Sequence, residues 1–549
     1  MKIKPVFAGI AILGALLLIL SLNTVGKIWG ANPRSILAVN KNQPQAAQIL
    51  PKRSPLFLSF LVKPEKLGLF TQLAAKTSDR AEISRRLDKI KQQLQQNWLL
   101  DYERDVQPWL DREMTLAVTN LDLDDQPDNG LQTGYALALA IQDRDLAKTS
   151  LDAFWQRLAV GGVDVGFEQY QGLSILSTGF ENNSPAIAQT VVDGFVLFAN
   201  DKRVLHQIID TAKSTDNAIA SLDSYKNSLA SLNNRNNEKG KFGVVYANFA
   251  ELGADFPSEN LLVSLNLDKS GLRLKTAIGV KQNIQNSNLN SIQPFSKSIA
   301  NIIPHAGSVA IGNNLSQTLQ TLEKMLMPSW QNSLTNILAP IPLDSRVLSW
   351  VQSDYAIALF PKENPPKTNS GSNWLLVAKV QDPDATNTAI AELDQLYRAK
   401  LTVGEINLNQ QPITIWTNLS AASNVNYAGV AGNIVVAHTQ TKEYVYFSNS
   451  LSVLQSAISL NKRDAIASSK DFQAAIARLP KDQSTYVYLD QNFIKQNYNK
   501  FTFSSIAQIL QLDDLLLFPI GKYLERVGIA VDNNQSHVQN GEIFLSLVH

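Results

Sequence analysis

Apolar runs of strand length, bounded by Pro, Gly, Asn and Asp, recur along the chain. They predict strands at 56–62, 113–121, 134–142, 194–200, 242–248, 261–267 and 272–280, with short strands across 163–178. Stretches with apolar residues three and four apart predict helices. One carries the stripe Ile83, Leu87, Ile90, Leu94 and Trp98 on an otherwise charged segment. Others are predicted at 145–160, at 201–212 with Asp201 as N-cap, and at 222–232. The turn Asp268-Lys269-Ser270-Gly271 predicts a β-hairpin. After 302 the order returns. Strands are predicted at 354–361 and 374–381. A helix follows, with Asp382 as N-cap and Pro383 at the first helical position. Then come strands across 403–417 and 427–438, a helix near 444–460, a strand at 485–489, and a closing pair at 526–531 and 538–548.

Landmarks in the two stretches correspond. Ile302-Ile303-Pro304 lies 253 residues after Ile49-Leu50-Pro51, and Trp350 lies 241 after Trp109. Trp374, which opens a run ending at Gln381-Asp382, lies 239 after Tyr135, which opens one ending at Gln142-Asp143. Tyr486 lies 244 after Phe242. Such a period far exceeds the ~20–50 residues of solenoid repeats, so each copy is domain-sized. Strands outnumber helices and come in adjacent pairs, which predicts antiparallel sheets. The expected fold is α+β: two tandem homologous domains, each a largely antiparallel sheet with helices packed on one face, preceded by an N-terminal transmembrane helix. The expected boundaries are a signal anchor at 1–31, a flexible tether at 32–48, a first repeat at 49–280, a linker at 281–301 and a second repeat at 302–549.

The anchor follows from Met-Lys-Ile-Lys and the weakly polar stretch 5–22, near the ~17-residue lower limit for crossing a bilayer. Val6, Phe7, Ile10, Leu13, Leu16, Leu17 and Leu20 are the expected membrane-spanning residues. Thr24-Val25-Gly26 and Ile28-Trp29-Gly30-Ala31 are poor cleavage sites, which favours an uncleaved anchor. Lys2 and Lys4 then hold the N-terminus in the cytoplasm. The bulk of the chain is expected to be periplasmic or lumenal, at the inner or thylakoid membrane.

Composition narrows the chemistry. Net charge is +1, from 49 basic and 48 acidic residues, so no large nucleic-acid footprint is expected. Cysteine is absent (0 residues), which excludes disulfides, a thiol nucleophile and Cys-based metal sites. At 44% hydrophobic residues, each domain has material for a core.

The anchor, the Ile49-Leu50-Pro51 start, the phrase Gly194-Phe195-Val196-Leu197-Phe198-Ala199-Asn200-Asp201, and Leu222, Tyr225 and Leu229 before the strand at Phe242 carry a resemblance. Across 49–548 the chain resembles the mostly cyanobacterial, extracytoplasmic family catalogued as domain of unknown function 3352. These phrases describe packing. The resemblance implies location and architecture, and it brings no catalytic residues.

Candidate chemistry is sparse. No two of His206, His305, His438, His537 and His549 stand at metal-ligand spacing. Asp122, Asp124, Asp125 and Asp128, before Asn129-Gly130, form a weak Ca²⁺ candidate without the bidentate Glu of an EF-hand; a solvated hairpin tip is the expected reading. Asp513-Asp514 suits a helix N-terminus better than a catalytic carboxylate pair. Tyr444, Tyr446, Phe447, Tyr486 and Tyr488 could stack on a sugar, though packing is the expected role. Phosphate-loop, nucleophile-elbow and dinucleotide motifs are missing, and no cofactor is implied. The leading reading is therefore a non-enzymatic scaffold, assembly factor or binding module of the cell envelope or thylakoid, held to the membrane by its first helix and serving a protein partner. Alternatives are a carrier of a lipid or other apolar ligand, and a cell-wall hydrolase using unidentified carboxylates.

Overall fold

The run Tyr-Ala-Leu-Ala-Leu-Ala at 135–140 sets the architecture. Its strand is buried nearly throughout. Successive side chains point to opposite faces, so Leu137 and Leu139 fill one face while Ala136, Ala138 and Ala140 line the other. Such a strand needs cover on both sides.

A computed structural model of the chain describes residues 43–63, 99–126, 128, 130–178, 186–233, 241–252, 258–268, 271–281, 297–319, 350–360, 373–424, 427–481, 483–497, 524–532 and 537–547. The expected membrane helix, the 83–98 stripe and Asp513-Asp514 lie outside them. Among the described residues no helix is long and apolar enough to cross a membrane.

The first half contains β1 (Leu56–Phe60), β2 (Leu110–Asn120), β3 (Gly134–Ile141), α1 (Arg144–Val160), β4 (Val165–Tyr170), β5 (Leu173–Thr178), β6 (Ala188–Val192), β7 (Phe195–Ala199), α2 (Lys202–Lys213), α3 (Asp223–Asn233), β8 (Lys241–Asn248), β9 (Ser258–Asp268) and β10 (Gly271–Val280). The second half contains β11 (Ser308–Asn313), β12 (Asp354–Phe360), β13 (Asn373–Lys379), α4 (Pro383–Arg398), β14 (Thr402–Leu408), β15 (Gln411–Asn424), β16 (Tyr427–Gln440), β17 (Tyr444–Ser448), α5 (Leu451–Ile458), α6 (Lys470–Ile476), β18 (Thr485–Asp490), α7 (Gln491–Asn497), β19 (Leu524–Val531) and β20 (Val538–Leu547).

All pairings are antiparallel. The first half runs β4-β5-β6-β7-β3-β2-β1-β8-β9-β10. The second runs β14-β15-β16-β17-β13-β12-β11-β18-β19-β20, the same order with each strand number raised by ten. β10 pairs with β20 from Gly271 opposite Ser546 to Gly279 opposite Val538. One 20-stranded sheet results.

The helices lie on both faces, which corrects the expectation of one. Leu151, Phe154, Trp155 and Leu158 of α1 pack with Leu116, Leu137 and Phe198. On the other face, Val204, Leu205 and Ile208 of α2 and Tyr225 of α3 pack with the alanines, Phe57 and Tyr246. The second half repeats this, with α4 on one face and α5 and α6 on the other. The physical reason is that both faces of the central strands are apolar. Small side chains on the alanine face admit helices closely.

The segment expected to be helical near 444–460 is β17 followed by α5. Tyr444-Val445-Tyr446-Phe447 is a buried aromatic and β-branched run, which favours a strand. Ser450 caps α5 by accepting from Val453 N. Asp201 and Asp382 cap α2 and α4 as expected.

Local ties recur at matching places. Asn200 Oδ1 accepts from Tyr135 N at 2.7 Å, and Asn449 Oδ1 accepts from Trp374 N at 2.8 Å. Ile219 N donates to Leu50 O at 2.9 Å, and Ile466 N to Ile303 O at 2.8 Å. Beside these bonds stands an identical tetrapeptide, Ala-Ile-Ala-Ser at 218–221 and 465–468, whose Ser221 and Ser468 hydroxyls each donate to an alanine carbonyl at 2.7 Å.

The end of the expected tether is core. Ala46 and Ala47 are buried, and Glu113 on β2 accepts from Gln45 N at 2.9 Å and Ala46 N at 2.8 Å. The carboxylate thus caps the 3₁₀ turn Ala46–Gln48, whose free amides attract negative charge. The end of the expected linker packs similarly, with Ile299 and Ala300 buried. Glu113→Ala removes the acceptor of two inward-facing amides and is expected to destabilise the first half by about 2 kcal/mol. A urea melt checks the shift. Limited proteolysis should then cut near residues 46–50 first, and unchanged cleavage there would refute the capping role.

Candidate functional site

Helix α1 and strand β6 are tied by a buried polar pair: Trp155 Nε1 donates to Gln189 Oε1 at 3.0 Å. In the second half, α4 and β16 are tied at the matching positions by Asp394 and His438, 2.8 Å apart from Oδ1 to Nε2. Asp394 Oδ1 also accepts from Trp416 Nε1 on β15 at 2.7 Å. Trp416 stacks on Tyr397, with centroids 4.1 Å apart and planes at 19°. Because the carboxylate only accepts, His438 carries its proton on Nε2. An aspartate orienting a histidine is part of a catalytic triad. Here, however, the imidazole is 4% exposed and walled by Trp416 and Phe447. Its environment is packed rings, and its role is to join helix to sheet.

Burial alone would raise the Asp394 pKa. The His438 hydrogen bond and charge, the Trp416 N–H and Arg398 outweigh burial and hold it below the ordinary value. Asp394 and Trp416 were not apparent as site residues from sequence. The signal was a carboxylate on the apolar stripe Ile390, Leu393 and Tyr397, at the position that holds Trp155 in the first half.

Two further clusters of charged side chains brace local segments of the first half. Asp105 is buried, and Arg157 grips it with two bonds of 3.2 and 2.8 Å while Arg104 Nε adds a third at 2.9 Å. In the acidic loop, Asp122 Oδ1 accepts from Gln132 N and Asp124 Oδ1 from Gln126 N, both at 3.1 Å. Arg203 reaches Leu123 O and Gln132 Oε1 in the same loop. The structure therefore uses Asp122 and Asp124 as turn acceptors and does not gather them with Asp125 and Asp128. Among the described residues no three His, Asp or Glu side chains form a metal-holding group. The described histidines are dispersed: His206 Nε2 lies 2.9 Å from Glu168 Oε1, and His305 Nε2 lies 3.0 Å from Ala465 O. Tyr446, Tyr486 and Tyr488 are buried, so they pack and do not form a stacking platform.

The outer strands differ from all of this. β4 and β14 occupy the matching outermost places, and each pairs on one side only among the described residues. Their hairpins turn through two residues of positive φ: Gln171 (47°) with Gly172 (82°), and Asn409 (52°) with Gln410 (68°). Such turns make Tyr170–Leu173 and Leu408–Gln411 the hydrogen-bonded pairs. By alternation, the backbone groups of Val165, Phe167 and Gln169 on β4, and of Val403, Glu405 and Asn407 on β14, point outward. Phe167 is 68% exposed and Ile406 39%.

The family described as "Protein of unknown function (DUF3352)" matches residues 12–547. The chain belongs to that family. No curated protein matches the chain. Two solved structures of TP0453, crystal forms III and I, are 8% identical with TM-scores of 0.21. They cover 48% and 46% of this chain and 83% of their own, and at that TM-score the likeness carries no argument. The family's description assigns no chemistry to the outer strands.

The Asp394 tie predicts a pH dependence. A carboxyl whose folded pKa is depressed stabilises fully above its unfolded value of 3.8, and the contribution is lost as pH falls through the folded pKa. The difference in melting temperature between wild type and Asp394→Asn should be constant above about pH 5 and shrink towards pH 2. A difference that widened on acidification would contradict it.

Proposed function

We propose that this protein is a membrane-anchored, extracytoplasmic scaffold built from two repeats of one domain, and that it binds partner proteins through its two outer strands. The observation that carries this reading is the pair of matching edges. Among the described residues β4 and β14 end the sheet in both directions, and each turns a row of outward backbone groups away from the body. An unpaired edge is a template for an added strand, with main-chain hydrogen bonds giving affinity and alternate side chains giving selectivity. Exposed Phe167 and Ile406 supply apolar contact beside those edges. The repeat reading is supported by the shared strand order and by the recurrent Asn200/Asn449 and Ser221/Ser468 ties. The anchoring reading is supported by Lys2, Lys4 and the apolar run at 5–22.

Proline tests the edges because it removes an outward donor without breaking a ladder bond inside the sheet. Photo-crosslinkers at Gln169 and Asn407 should capture a partner in membranes. Phe167→Pro and Glu405→Pro should abolish capture at their own edges by more than about tenfold, while leaving the melting temperature nearly unchanged. Capture that persisted in both stable proline variants would defeat the edge-binding reading.

A further inference from the structure

The join between the halves carries an unlike charge at its centre. β10 and β20 hold the same place in their halves and pair with each other antiparallel, which defines an approximate two-fold axis through the seam. The strand registers locate it. Leu137 and Leu376 stand opposite Phe198 and Phe447. Following register outward, Leu116 matches Ile357, Leu58 matches Ala310, and Val245 matches Val487. Val263 then matches Ile529, and Thr276 matches Ile543. Lys275 therefore matches Glu542. These two are also direct partners across the seam. The axis runs between a lysine and a glutamate, exposed by only 7% and 2%.

The groups around them also cross the seam. Arg273 of β10 donates through Nη1 to Glu542 of β20, and through Nη2 to Asp268 Oδ2 at 3.0 Å. Arg478, beyond α6, reaches Asp268 Oδ1 at 3.4 Å. At the matching place in the first half, Ser231 of α3 donates to Asn540 Oδ1 on β20 at 2.7 Å. Buried charges add little net stability once desolvation is included, but they penalise wrong partners strongly. A bare β-edge accepts almost any strand. Pairing β10 with a second β10 about the same axis would set lysine against lysine; β20 with β20 would set glutamate against glutamate.

We propose that Lys275 and Glu542, with Arg273, form a pairing code: the inner edge of the first half closes on the inner edge of the second half and rejects another copy of itself. The partner this surface fits is an antiparallel strand with a carboxylate at the axis position. The inference rests on the equivalence of the halves and is independent of what the outer edges bind.

The test uses the full chain, whose lack of cysteine gives a clean background. Leu274→Cys with Ile543→Cys places reporters on direct register partners. In the parent they should bridge within one monomer. Adding Glu542→Lys should lower intramolecular bridging by at least about tenfold and produce dimers. Adding Lys275→Glu to that variant should restore bridging and the monomer, since the carboxylate moved to β10 would lie two residues from Arg273 on the same face. Should the like-charge variant fail to fold, Lys275→Met/Glu542→Met keeps the test open. An apolar pair is expected to fold, yet to give mixed monomers and dimers on sizing. The code is overturned if the swap bridges no better than Glu542→Lys alone, or if the folded double-methionine variant stays wholly monomeric with parent-level bridging.

Discussion

The ladder between β10 and β20 is the constraint on which the rest of the structure depends. Backbone donors and acceptors in a sheet must be satisfied, and a strand edge left open invites association. By closing one half on the other, the chain satisfies both inner edges at once and leaves the two outermost strands as the ends of a continuous sheet. The functional proposal follows: the two candidate binding edges stand at opposite ends of the strand order because the inner edges are used up. The helices follow as well. A sheet apolar on both faces cannot be sealed from one side, so α1 and α4 cover one face while α2, α3, α5 and α6 cover the other.

Much of this was legible from residues. The two-period strands, the Asp201 and Asp382 caps and the hairpin at Asp268-Gly271 are local chemistry, and local chemistry is written in adjacent positions. The paired order of landmarks foreshadowed the paired strand order. What sequence alone could not supply was mostly non-local. Nothing in Tyr-Ala-Leu-Ala-Leu-Ala says which side receives a helix, although the unbroken apolar run does indicate that both sides need one. Residues 44–48 read as a polar tether because their anchor, Glu113, lies far along the chain. The run at 444–447 reads as helix because a strand buried on both faces shows no alternation. The Ala-Ile-Ala-Ser tetrapeptide was a signal available at once, being identical in both halves and placed where each half ties its entry segment to the sheet.

The candidate sites were the least legible because the halves keep positions while exchanging chemistry. Trp155 and Gln189 form a neutral tie; Asp394 and His438 form an ionisable one in the same place, and the indole reappears on β15 as Trp416. A comparison of residue types would pass over this correspondence. Only the shared geometry exposes it, and with it the fact that burial tolerates either solution so long as each polar atom meets its partner.

The same exchange makes the outer edges unlike. On β4, Glu168 lies between Lys202 at 3.0 Å and His206 at 2.9 Å, and Tyr170 stacks on that imidazole with centroids 3.9 Å apart. The Lys202 hydrogen bond, with His206 nearby, holds the Glu168 carboxyl below its ordinary pKa. The corresponding residues beside β14 are Ile406, Leu408, Leu451 and Gln455, which carry no formal charge. On this face one edge is therefore flanked by a salt-sensitive lattice of charges and the other by uncharged side chains. On the proposed edge-binding reading, side chains beside an added strand would set its selectivity, so ends flanked this differently would select different strands, which two identical ends could not do.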